Sequence, residues 1–324
     1  MILKFIRKLL FDYRFFLKKD KVYVLMFHKV NDEYGPFYKG MPKVTFYKLI
    51  DYVSSHFEII HFHDLETYSE NNKKPLLIIT FDDGMDDIRT NVFNYLMYRK
   101  IKFTINIDTK ILIDSFPQYF IQVYDLLNQS DAIEGYYDPK YMKEVIKINY
   151  DQPYLTEAAF TSLLSPMNND EKENFIDRMR KKLGVNESFS TKVLSKEWIL
   201  QQKDNPQIVF GSHSHSHPVF TQIDIYEREQ EIQLSKEILT LILGKEISIF
   251  AYPNGECDTF TDDLLFKMGF HYILKTNDAL NLKSSITKKS FYRINMYHSN
   301  LELGILQSIG ILPKIRWLKS ILWS

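Results

Sequence analysis

Leu76-Leu77-Ile78-Ile79-Thr80-Phe81-Asp82-Asp83-Gly84 sets a short apolar run against two carboxylates and a glycine. An uninterrupted run of this kind, closed by a turn residue, predicts a strand buried on both faces, as in parallel sheets. Gly84 lets the chain leave that strand in a turn. Asp82 and Asp83 therefore project from the strand's C-terminal end, where enzymes built on parallel sheets carry their chemistry.

Residues 22–28 read as an earlier buried strand and 57–62 as a second, with helical spacing over 46–55 between them. Beyond Gly84, the residues Ile88, Val92, Tyr95 and Leu96 share one face of a helix predicted over about 86–98, and 103–107 is extended again. Strand, helix, strand is the unit of a parallel sheet. From about 110 to 195 the alternation gives way to polar and helical pieces, for instance 169–183 closed by Gly184, and this stretch reads as a mostly helical insertion. The pattern then resumes with strands at 208–212, 248–252 and 272–275 and helices at 226–243 and 259–268, each helix ended by a glycine. The fold class expected is α/β, a distorted or incomplete parallel (β/α) barrel over residues 21–300 with the insertion at about 110–195 mounted on it.

The 324 residues are 45% hydrophobic and 15% aromatic, which excludes a disordered chain. Net charge is zero, and no basic stripe interleaved with aromatics runs through the central chain, so no nucleic-acid partner is expected. Cys257 is the single cysteine, which excludes an internal disulfide framework and a Cys-rich zinc site. Any metal must be held by His and carboxylate. The ends, 1–20 and 301–324, are basic and amphipathic; the first lacks the apolar core and cleavage site of a signal peptide and is too often interrupted by charge for a membrane span. Such segments suit a helix lying on an anionic membrane surface and equally a helix packed on the domain. Peripheral contact with a membrane and a cytoplasmic location at its inner face are the expectations.

Two further motifs follow predicted strands. His213, His215 and His217 come directly after 208–212; a metal that activates water needs ligands on part of its sphere and an open position, which Asp83, His213 and His217 would provide, with His215 pointing elsewhere. Phe250-Ala251-Tyr252-Pro253-Asn254-Gly255 makes a tight turn whose amides can face an oxyanion. Singly, an Asp-Asp pair, an H-x-x-x-H and a Pro-Asn-Gly turn are each commonplace. Their coincidence at strand ends indicates a metal-assisted hydrolase. The chain has no G-x-S-x-G, G-x-G-x-x-G or P-loop.

Thr80-Phe81-Asp82-Asp83-Gly84, His213-Ser214-His215-Ser216-His217-Pro218 and Ala251-Tyr252-Pro253-Asn254-Gly255 resemble, in order, the principal motifs of the polysaccharide deacetylases of carbohydrate esterase family four. The resemblance covers roughly residues 20–295 apart from the insertion. It implies Asp82 as general base, and Asp83, His213 and His217 as ligands of a divalent metal, most often zinc. It also implies Ser214 as a support of the ligand loop, and Tyr252, Pro253 and Asn254 as an oxyanion or substrate-binding turn. The family's usual motif arginine is replaced by Ala251. That departure, with the early Phe27-His28 dipeptide, resembles the branch that de-N-acetylates poly-N-acetylglucosamine, and implies His28 as general acid. His298 is the competing acid, and Arg293 is a candidate to replace the missing arginine and equally to form a surface salt bridge. The expected activity is metal-dependent removal of N-acetyl groups from an amino sugar in a bacterial surface polysaccharide or its lipid-linked precursor. The alternatives are an O-acetyl esterase on a glycan and an inactive, metal-bearing sugar-binding protein.

Overall fold

The computed structural model describes residues 17–32, 35–67, 74–282, 286 and 289–312. The chain begins with β1 (Lys21–Phe27), α1 (Lys43–His56), β2 (Glu58–Ile59), β3 (Leu76–Phe81), α2 (Phe93–Tyr98) and β4 (Phe103–Ile107). The inserted stretch holds α3 (Ile111–Asp114), α4 (Tyr119–Gln129), a hairpin of β5 (Gly135–Tyr136) and β6 (Ile146–Lys147), α5 (Pro153–Leu164), α6 (Asn169–Leu183) and α7 (Lys196–Gln202). Then come β7 (Ile208–Ser212), α8 (Ile225–Leu243), β8 (Ile249–Ala251), α9 (Thr259–Lys267), β9 (Tyr272–Thr276), β10 (Asn281–Leu282), β11 (Ser290–Asn295) and α10 (Leu301–Ser308).

Strands β3, β4, β7, β8, β9, β11 and β1 pair in parallel in that order, and β1 pairs back onto β3 over Val22–Phe27 against Leu76–Phe81. The ring is therefore a closed, seven-stranded parallel barrel, which decides between the distorted and incomplete forms the sequence left open. β2 lies beside β3, and β10 adds antiparallel to β1.

The continuous apolar runs divide by parity, because successive strand residues face opposite sides of the sheet. Val22, Val24, Leu76, Ile78, Ile249, Tyr272, Leu274 and Phe291 form one buried cluster, inside the ring. Tyr23, Leu25, Phe27, Leu77, Ile79, Phe81, Phe250 and Ile273 join the helices in a second cluster outside it. The inserted stretch has its own core, with Leu126, Phe160, Phe175 and Met179 at its centre. Its α6 starts on an Asn168–Glu171 capping box and ends on Gly184 at φ +67°, a left-handed position that glycine occupies without steric penalty.

Three sequence readings need correction. Residues 57–62 do not form a full strand: only Glu58–Ile59 pair, and Phe62 opens a 3-10 turn whose ring packs on Tyr272 and Phe291 inside the barrel. The helix expected over 86–98 starts as a π-helical turn, Ile88–Val92, before α2. β11 was not read as a strand at all, because Phe291 and Arg293 face in while Tyr292 is exposed, so the run lacks a continuous apolar character. Among the described residues no helix is long and apolar enough to cross a membrane. Most of the two basic ends, 1–16 and 313–324, lies outside the described residues.

Candidate active site

The parity that fills the barrel interior with apolar side chains changes chemistry toward the strands' C-terminal ends. Continuing from Val22, Val24 and Met26, the next inward position is His28; from Leu76, Ile78 and Thr80 it is Asp82; from Phe291 it is Arg293. One strand over, Thr104 and Asn106 occupy the inward positions of β4. Polar groups thus collect at one end of the ring because the same period that builds the core puts them there.

Asp82 is 1% exposed, and its Oδ1 accepts hydrogen bonds from Asn106 Nδ2 at 2.7 Å and Arg293 Nη1 at 2.7 Å. Burial alone would raise this carboxyl. The Arg293 guanidinium beside it outweighs burial and holds it below the usual carboxylate range. The remaining oxygen, Oδ2, stands 3.8 Å from His213 Nε2. Asp82 is thus an ionised carboxylate with one oxygen tethered and the other turned to the centre of the site.

Asp83 follows with φ +69°, a left-handed backbone that swings its side chain out of the strand's alternation and towards the histidines. Its Oδ1 lies 3.5 Å from His213 Nε2 and 3.4 Å from His217 Nε2, and the candidate ligand atoms of the three residues all fall within 4.8 Å of one another. His213 donates from Nδ1 to the Ala251 carbonyl at 2.8 Å, which fixes the tautomer and turns the Nε2 lone pair inward. Asp83 Oδ1 is buried without a hydrogen-bond partner. Two imidazole nitrogens and an orphaned carboxylate oxygen facing one point repel each other unless a cation stands between them, so the donor set fits a divalent metal. Burial also pushes Asp83 up, but with protons on the Nε2 atoms in place of a metal, His213 and His217 would hydrogen-bond Asp83 and hold its carboxyl well below the usual range. His217 is pushed down by burial.

Ser214 and His217 both have positive φ, and Ser214 Oγ accepts the His217 amide hydrogen at 3.1 Å, so this serine holds the loop that carries both histidines. His215 turns away and pairs with Thr109 Oγ1 at 2.8 Å. A cavity of about 550 Å³ opens over the cluster, lined among others by His28, Asp82, Asp83, His213, His217, Tyr252, Asn254 and Arg293. His298 does not line it; its ring packs on Tyr297 at 4.4 Å. Of the two candidate acids, only His28 reaches the cavity. In the Tyr252–Gly255 turn, Pro253 has no amide hydrogen, Tyr252 N–H bonds Leu274 O and Gly255 N–H bonds Tyr252 O. Asn254, at φ +55°, holds the turn's remaining amide. The Tyr252 hydroxyl donates to Asp262 Oδ1 at 2.9 Å, and Pro253 shapes the turn from behind.

Several residues escaped the sequence reading. Asn106 had a signal: it is the polar inward position of Phe-Thr-Ile-Asn-Ile. Glu231, on α8, clamps the histidine loop through the amides of His215 and Ser216 and the Ser216 hydroxyl. Gln118 donates to the Asp83 carbonyl, Phe120 packs on the His217 ring at 5.1 Å, and Tyr38 donates to Asp83 Oδ2 at 2.8 Å. Neither loop nor insertion periodicity marks these as site residues.

A family model described as polysaccharide deacetylase matches residues 169–273. That span holds the histidine loop and the Tyr252–Gly255 turn, while Asp82 and Asp83, at the end of β3, face that loop across β4. No curated protein matches the sequence. Among solved structures, the chain is similar to the deacetylase PplD of Streptococcus pyogenes in complex with acetate, at 15% identity over 90% of this chain and 99% of that one, with TM-score 0.59. It is similar to IcaB from Ammonifex degensii at 15% identity over 91% and 99%, TM-score 0.58. It is also similar to a de-N-acetylase from Aggregatibacter actinomycetemcomitans at 11% identity over 90% and 100%, TM-score 0.54. These likenesses show the same barrel. The chain thus shares the barrel of these deacetylases, and its residues 169–273 match the polysaccharide deacetylase family model.

Proposed function

We propose that the protein is a metal-dependent N-deacetylase acting on an amino sugar of a bacterial surface polysaccharide or of its lipid-linked precursor. The observation that carries this reading is the division of labour between neighbouring carboxylates: Asp83 converges with His213 and His217, while Asp82 is held apart by Arg293 and Asn106. A divalent ion held by Asp83, His213 and His217, zinc by the family resemblance, would supply Lewis-acid polarisation and a more acidic water. Asp82 Oδ2 accepts the proton of the attacking water. The Asn254 amide faces the acetyl oxygen as charge gathers on it. His28 holds the proton that the departing amine takes up as the C–N bond breaks, leaving acetate and a free amino sugar.

The branch assignment is supported by Phe27-His28 at the end of β1, by Arg293 giving Asp82 the guanidinium partner that Ala251 cannot supply, and by neighbours of the same fold that include a de-N-acetylase. Arg293 also removes the motive for the inactive-binder reading, since Asp82 keeps an arginine partner. Action at the inner face of a membrane rests on the composition of the two ends and is tested by flotation with anionic vesicles; protein that stays unbound removes it. The function is tested by elemental analysis of purified protein combined with acetate release from N-acetylglucosamine oligomers and from O-acetylated glycans. Bound zinc with release from the N-acetylated set is the expected result. Release from the O-acetylated set alone would make it an esterase.

A further inference from the structure

Asp83 presents two oxygens, and the structure treats them differently. Oδ1 faces both imidazole Nε2 atoms and has no hydrogen-bond partner, whereas Oδ2 accepts the Tyr38 hydroxyl at 2.8 Å. We infer that Tyr38 is a positioning residue for the metal carboxylate: by occupying Oδ2 it restricts Asp83 to offering a single oxygen to the ion. This rests on the metal-dependent reading above.

The placement of Tyr38 is built rather than incidental. Its backbone sits at φ +51°, a left-handed conformation disfavoured for a bulky residue, so surrounding contacts must hold it there. One is the Tyr38 amide, which donates to Glu157 Oε1 at 2.6 Å. Others are the rings of Tyr124, stacked at 5.9 Å, and Phe120, edge-on at 6.1 Å. Glu157, Tyr124 and Phe120 all belong to the inserted helices α4 and α5. Phe120 also packs on His217, and Gln118, just ahead of α4, holds the Asp83 carbonyl at 3.0 Å. The insertion therefore fixes both ends of Asp83, its backbone directly and its side chain through Tyr38.

A carboxylate with one oxygen hydrogen-bonded to a phenol binds an ion through the other, and keeps a coordination position open for water and substrate. Without the phenol both oxygens are available, and the carboxylate is free to rotate. Partners of this kind change metal affinity by about 10–100-fold when removed.

The test measures the ion alone. Tyr38→Phe keeps the ring and removes the hydroxyl; zinc dissociation constants are measured by competition with a chromophoric chelator, and cobalt-substituted protein is examined by visible absorption. The expected result is zinc affinity weaker by about tenfold or more, with weaker cobalt d–d bands as Asp83 supplies a second oxygen. Should Tyr38→Phe fail to fold, Glu157→Gln keeps the hydroxyl and loosens the tyrosine's backbone hold, and a smaller loss in the same direction is expected. Affinity and spectrum equal to the parent protein's would overturn the role of Tyr38 and leave the deacetylase reading standing. A parent protein that takes up no zinc or cobalt would overturn both.

Discussion

Arg293 reaches Asp82 from a strand on the far side of β1 and is itself 0% exposed. Two effects follow from removing it. Arg293→Met leaves a buried carboxylate without its counter-charge, which destabilises the fold by about 3–5 kcal/mol by chemical denaturation. It also withdraws the main influence that keeps the Asp82 carboxyl low, so its pKa rises. Because the proposed base must be ionised to act, the acidic limb of the kcat/KM profile is expected to move to higher pH; an unmoved limb would show that another group limits the rate. Asp82→Asn is expected to keep its metal and lose nearly all turnover. His28→Ala keeps the metal with turnover lower by about 10²–10⁴-fold, and His217→Ala loses the metal itself. Metal content and acetate release, measured side by side, separate these outcomes. At this scale the sequence was most legible where a residue sits at a strand end. Asp82, Asp83, His213, His217 and His28 all converge as their positions imply. Tyr38 and Gln118 sit in loops where no period constrains direction, and only coordinates reveal them.

The elements succeed or fail as predictions for a physical reason. Long apolar runs such as β1 and β3 announced themselves because both faces are buried, while β11 hid because an inward arginine and an outward tyrosine break its pattern. The close approach of β4 and β7 gives a prediction: a Cβ at Gly211 would stand 2.3 Å from Asn106 Oδ1 and 3.0 Å from Ile249 Cγ2. Gly211→Ala therefore pushes Asn106 off Asp82 without touching a metal ligand. Turnover is expected to fall on the order of 10²-fold with metal content unchanged. At the opposite end of the barrel, His61 precedes the 3-10 turn, and its Nε2 contacts the Pro206 carbonyl at 3.2 Å. Burial lowers His61 below the ordinary imidazole value of 6.5, and His63 likewise. The unfolded chain binds these protons more readily than the folded one. Stability is thus full above about pH 6.5 and declines as pH falls through that value toward the folded pKa. Urea midpoints across that window are expected to drop, and to drop less in His61→Gln.

At the scale of the whole molecule, the frame does not depend on the ion. The barrel interior, the helical layer and the insertion each have an apolar core of their own. Treatment with a strong chelator is expected to abolish turnover while leaving far-UV dichroism intact. Only the extra stabilisation from binding is lost, about 4 kcal/mol at a thousandfold excess of ion over its dissociation constant. Unfolding on chelation would mean the metal is structural. The (β/α) ring was readable because strand and helix alternate at regular spacing. The separate core between β4 and β7 was visible only as a lapse in that rhythm.

That separate core has an evolutionary corollary. The wall of the cleft includes Phe120, Pro153, Tyr154 and Glu157, all from one excursion of the chain, while Asp82, Asp83 and the histidines ride on the ring. Descendants of such a scaffold are free to change their diet by rewriting a single loop-out between adjacent staves, leaving the scissors untouched.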